Sequence, residues 1–153
     1  MISYPYLPVF TSILWILPIS HCLYTNRAKQ IETPKMCLLL LMMTMIFFSC
    51  LFWLDPVSHR NTLIHTMDAA CARITIFAFI AYNVILQPRL FSNLVFLGCI
   101  FVMFAFFYGS DCCSREEWCS DHHIYNHMGA HLFAWICLYF TLNYVEDDEK
   151  MGD

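Results

Sequence analysis

The chain has little of what a soluble or multidomain protein relies on. Of its 153 residues only 13% are Asp, Glu, Lys or Arg, and it holds four glycines and six prolines. So few chain breakers exclude low-complexity linkers. The eight Lys and Arg residues form no basic patch, which sets nucleic acid aside as a partner. A cleavable signal peptide is not expected either. No Lys or Arg precedes the first apolar run and no clear small-residue cleavage site follows it, so that run reads as a retained span. What the chain does have is apolar bulk: 59% hydrophobic residues, 17% aromatic and a mean hydropathy of +0.57. These values imply an all-α, polytopic membrane helical bundle. One transmembrane domain is expected over 1–145, followed by an acidic tail, 146–153, that opens Glu146-Asp147-Asp148-Glu149.

Runs of about 20 residues without charge mark candidate spans. Five are expected, at roughly 6–24, 36–54, 62–86, 90–108 and 123–145, with Pro18 kinking the first. The third carries His65, Asp68 and Arg73 in its first half, and the fifth carries histidines in its opening turns. The expected connections are 25–35, a turn through Asp55-Pro56, a Gln87-Pro88-Arg89 turn and a longer loop at 109–121.

Helix parity then sorts the ionisable groups. If five helices alternate in direction, His59, His65, Asp68, His122, His123, His127 and His131 fall on one side and His21 on the other. The opposite side carries Arg27, Lys29, Lys35, Arg89 and Lys150, against Arg60 and Arg115 on the histidine side. The positive-inside tendency therefore places the C-terminus in the cytoplasm and the histidines on the lumenal or extracellular side.

Nine cysteines are present. Cys112, Cys113 and Cys119 fall in the connection expected outside, where a disulfide from Cys119 to one of the adjacent pair could survive. The other six read as small hydrophobes in or near spans. A zinc site from Cys112, Cys113, Cys119 and His122 matches no common finger spacing.

The histidine spacing points to chemistry. His127-x-x-x-His131 places two imidazoles on one helix face, a spacing that can serve a single metal ion, and Gly129 between them allows a neighbouring helix to come close. His65 and Asp68, three apart, also share a face, so Asp68 could fix the His65 tautomer or take a proton from a metal-bound water. Ionisable groups in spans are costly and ask for a function. The bland alternative treats these histidines, with Trp118 and Tyr125, as interfacial residues whose polar tips sit among headgroups. It suits His122 and His123 best. Arg73 needs a partner on another helix or must snorkel.

A histidine followed three residues later by Asp, with His-x-x-x-His on the last helix, resembles the CREST superfamily of membrane hydrolases. That superfamily includes alkaline ceramidases, progestin and adiponectin receptors, and lipases that remodel GPI anchors. The resemblance implies a zinc ion held by His65, His127 and His131, with Asp68 beside the attacking water and a membrane lipid amide or ester as substrate. The chain departs from that pattern in having Asn61 where the family has Ser and five expected helices instead of seven. Two other classes stay open. One is a haem-binding electron carrier with His65 and His131 as axial ligands. The other is a non-enzymatic membrane protein, a pH-sensing channel or an assembly factor.

Overall fold

The computed structural model describes residues 6–27 and 31–143, and the acidic tail and the two lysines Lys29 and Lys150 lie outside them. The described chain is helical apart from short connections. Its elements are α1 (Leu7–Ile13), α2 (Ile16–Thr25), α3 (Thr33–Leu54), α4 (Leu63–Leu86), α5 (Pro88–Phe91), α6 (Leu94–Glu116) and α7 (Asp121–Asn143).

Local chemistry accounts for the breaks. Pro18 has no N–H to give the Leu14 carbonyl and its ring crowds that oxygen, so the expected kink becomes a break between α1 and α2. The Leu14 oxygen accepts instead from the Leu17 N–H at 3.1 Å and from the Trp135 indole of α7 at 3.0 Å. Prolines also stand in the first turns of α1, α3 and α5, where a missing N–H costs nothing. The Asn93 side chain caps α6 by accepting from Val95 and Phe96 N–H. Two boundaries differ from the sequence reading. The turn at 87–89 is opened into the short helix α5. The loop expected at 109–121 is mostly helix, because α6 continues past Gly109 to Glu116 and carries an Asp111–Arg115 pair (2.7 Å) one turn apart on its polar end.

α6 and α7 form the most extensive helix pair, α3 and α4 a second, while α1 and α2 lie on α7 and α1 also on α3. Contacts fix the directions. Ser12 meets Ser49, Thr11 meets His131, His21 meets Asn143, Ser110 meets His127, and Asn83 meets Thr141. The start of α1, the end of α3, the start of α4, the end of α6 and the start of α7 therefore share one end of the bundle. We call it the histidine end, and the opposite one the amide end.

Four segments are long and apolar enough to cross a membrane: Leu7–Thr25, Thr33–Leu54, Leu63–Leu86 and Leu94–Glu116. The sequence reading expected a fifth in the last helix. At 23 residues α7 is about 35 Å long, enough to cross, but it is less apolar than the others. Its place in the bundle explains why. Only 22% of the α4 window and 17% of the α6 window are buried, so those helices spend apolar side chains on the outside. By contrast α7 buries nine residues, three of them polar (His123, His131 and Thr141), against its neighbours. Gly129 serves the close approach expected of it: a Cβ there would lie 2.6 Å from the Phe106 ring of α6.

Candidate functional site at the histidine end

Eight polar residues are buried among those described: Ser12, Ser49, Thr75, Asn83, Ser110, His123, His131 and Thr141. All of them belong to α7 or to side chains facing it. At the amide end Thr141 donates to Asn83 Oδ1 (3.1 Å), Asn83 Nδ2 to Phe79 O (2.8 Å) and Gln87 Nε2 to Thr141 O (3.2 Å). Halfway along, Thr75 and Trp15 line a cavity of ≈ 30 Å³ closed otherwise by apolar side chains such as Met42, Phe79 and Leu138.

The histidine end is built from rings. His127 and His131 stand one helical turn apart with ring centroids separated by 4.5 Å. Trp53 of α3 packs on His127 (4.6 Å) and Trp15 on His131 (5.8 Å). Hydroxyls from two helices meet the pair. Ser110 Oγ of α6 is 3.4 Å from His127 Nδ1, while Thr11 and Ser12 of α1 lie 3.1 and 3.5 Å from His131 Nδ1. Both α1 hydroxyls donate to Pro8 O, at 3.0 and 2.8 Å. With their protons directed there, they accept from His131, which puts the ring proton on Nδ1 and leaves the Nε2 lone pair free. Two buried polar atoms packed on the pair have no hydrogen-bond partner among the described residues, the indole N–H groups of Trp53 and Trp15. Trp53 is 1% exposed and Trp15 7%, so bulk solvent does not satisfy those donors.

The other expected site residues stand apart from this pair. The His65 ring stacks on Phe52 (4.9 Å) and meets the edge of Trp118 (5.4 Å), with its Nδ1 accepting the Asn61 backbone N–H at 3.2 Å. Phe52 and Trp53, adjacent on α3, stand between it and His127. His123, by contrast, neighbours the pair, 6.2 Å from the His127 ring and 5.8 Å from Trp53, while it packs on Trp118 and accepts the Cys119 N–H at 3.1 Å. Asp68 is half-buried beside Cys50 and Cys71, and it forms no hydrogen bond with His65. Arg73 is exposed on α4, with no ion pair among the described residues. Among the described residues no three His, Cys, Asp or Glu side chains are grouped to hold one metal ion. Of the expected site residues the structure brings His127 and His131 together, and it places His65 and Asp68 elsewhere.

Outside the spans, Cys119 is buried with Phe52, Trp53 and Ile124, and burial pushes its thiol up to about 11, with Arg60 opposing. No disulfide joins the described cysteines. His122 is exposed, and His59 faces Phe52 O (3.4 Å). Sequence reasoning missed Thr11, Ser12, Ser49, Ser110, Trp15 and Trp53 as parts of the site. Lone hydroxyls within apolar runs were the available signal. Comparison with protein-family models, with curated proteins and with solved structures finds no match to this chain.

Proposed function

We propose that this is a multi-pass membrane protein that takes up the polar part of a membrane lipid at the His127–His131 pair. The observation that carries this reading is the pair of buried, unpartnered indole N–H groups packed on the two imidazoles. Buried polar groups are nearly always satisfied, and leaving one unpaired costs about 1–3 kcal/mol. Two indole N–H donors beside the Nε2 lone pair of His131 call for a guest that both accepts and donates. A lipid amide, or an ester with a neighbouring hydroxyl, has that character and can enter sideways from the bilayer. Hydrolysis of such a lipid is the activity that the resemblance to membrane hydrolases would add. The third zinc ligand it needs is not supplied by His65 as placed, so no step is derived through the metal. An assembly factor or pH-sensing channel would use the same histidines without a lipid guest.

The test uses the full chain in nanodiscs with a short-chain fluorescent ceramide, read by energy transfer from tryptophan, and product analysis in parallel. Saturable binding that falls at least tenfold in His127→Leu and His131→Leu supports the reading. An absence of binding by the unaltered protein, or binding indifferent to both substitutions, overturns it. Product release with about one zinc per chain would add the hydrolase step, and a Soret band would replace both with the haem reading.

We also propose five crossings, with the amide end cytoplasmic, since Arg27, Lys35 and Arg89 lie there. Thiol labelling from the exoplasmic side should then reach the half-buried Cys112 and Cys113. Cys119 should resist at pH 8, where a thiol titrating at about 11 is only about one part in a thousand thiolate. Labelling of Cys112 and Cys113 only after permeabilisation would invert the orientation.

A further inference from the structure

We infer that His65 and His123 are a matched pair of helix-capping histidines, fixed in the tautomer that cannot bind a metal through Nε2. Asn61 and Cys119 are the two non-glycine residues with positive φ among those described, at 61° and 60°. Each stands two residues before the first residue of a long helix, α4 and α7 respectively. Each is followed by a hydroxyl residue at the cap position, Thr62 or Ser120, and then, three residues on, by the histidine. The two segments read Asn61-Thr62-Leu63-Ile64-His65 and Cys119-Ser120-Asp121-His122-His123. In both, the histidine Nδ1 accepts the backbone N–H of the residue four before it, at 3.2 and 3.1 Å. In both, the next backbone N–H, from Thr66 or Ile124, bonds the cap residue's carbonyl, at 3.1 and 3.0 Å. The geometry is that of a capping box displaced by one residue, with imidazole where Glu or Gln is usual.

The chemistry of the acceptor decides the rest. A backbone amide can only donate, so Nδ1 of each ring offers its lone pair, and the neutral ring carries its proton on Nε2. A ring in that state has no second lone pair for a metal ion. The bond also supports a backbone conformation that a cysteine rarely adopts. Both histidines flank Trp118, at 5.4 and 5.1 Å, so the two caps hold the starts of α4 and α7 against one indole. They are positioning residues. The tautomer opposite to theirs, on His131, marks the ring whose Nε2 is left for a ligand. None of this depends on the lipid reading, because both caps are internal to the chain.

The inference is tested on the full-length protein in nanodiscs, labelled with 15N-histidine and assigned by single substitution. His65 and His123 should show a protonated Nε2 and an unprotonated Nδ1, and His131 the reverse. A protonated Nδ1 on His65 or His123 overturns the assignment. Thermal unfolding gives a second reading. His65→Gln and His123→Gln keep an acceptor within reach of the N–H and should hold the midpoint. His65→Phe and His123→Phe keep the ring stack but lose the acceptor, and should lower the midpoint by about 2–4 °C. Equal losses from Gln and Phe would overturn the cap. Zinc titration closes the alternative: His65→Gln should bind zinc as the unaltered protein does, whether strongly or not at all. A tenfold loss specific to His65→Gln would restore His65 as a ligand.

Discussion

The two ends of α7 use buried polar groups in opposite ways. At the amide end, Thr141, Asn83 and Gln87 bond one another and nearby carbonyls, and Gln87 Oε1 is the one unpartnered side-chain atom. At the histidine end, hydroxyls orient two imidazoles, yet the two indole N–H groups packed on them stay unspent. Polar side chains that only tie helices together inside a membrane gain by closing their bonds on each other. Groups held in place with their bonds open suit a guest. The amide end thus reads as a fastening and the histidine end as a site.

Substitution at the two ends should separate those roles. His131→Leu or His127→Leu removes one ring of the site, so lipid binding should fall at least tenfold, or about 1.4 kcal/mol, with little change in the unfolding midpoint. Binding measured beside unfolding on the same preparations checks both halves. If unfolding suffers more than binding, the histidine end is a fastening too.

Between the ends, Gly129→Ala forces a Cβ to within 2.6 Å of the Phe106 ring. Overpacking of this kind costs about 1–3 kcal/mol, partly offset by the better helix propensity of Ala. Gly98→Ala meets nothing within 4 Å and should be neutral or mildly stabilising. The loss at 129 should show in both unfolding and binding, since α6 carries Ser110 to His127. Equal behaviour of the two alanine variants would mean that α6 does not press on α7 as closely as described.

Asn83→Leu should give the mirror image of the histidine variants. A buried hydrogen bond between membrane helices is worth about 0.6 kcal/mol on average and at most about 1.7. The midpoint should drop accordingly while lipid affinity stays within twofold. A binding loss larger than the stability loss would join the two ends into one working unit.

How much of this was legible in the sequence follows from what each signal measures. Uncharged runs report contact with lipid, so α3 and α4 were placed within a few residues, α6 was found but runs eight residues past its expected end, and the Pro18 break lay within the first run. The same signal dimmed in α7, where polar residues face protein. It also misjudged 109–121, since a helix that leaves the apolar layer stops looking like a span while it goes on being a helix. Spacing placed His127 and His131 together because an i,i+4 pair depends on one helix alone. His65 depended on how α3 packs between α4 and α7. No periodicity could show that Phe52 and Trp53 would fill that space, or that backbone amides at two left-handed residues would claim the His65 and His123 rings.

The smallest effect belongs to the rim of the histidine end. Asp55, just past α3, is fully exposed, and its carboxylate accepts the Ser58 backbone N–H at 3.2 Å. The Ser58 hydroxyl and then this backbone bond, with a lesser contribution from His59, lower its pKa below the ordinary 3.8. A carboxyl with a depressed folded-state pKa adds stability above its unfolded value and loses it as pH falls through the folded one. Asp55→Asn should therefore lower the midpoint slightly at pH 7 and pH 5. The gap should be smaller at about pH 3, below the ordinary 3.8, and it closes only as pH falls through the lowered folded-state value, where Asp55 itself becomes neutral. Unfolding of the two proteins at those three pH values measures it. A gap that widens toward acid would place the stabilising charge elsewhere. Lipid affinity should not change at any of them, because the site draws on atoms buried beside α7, which a solvated turn beyond α3 does not reach.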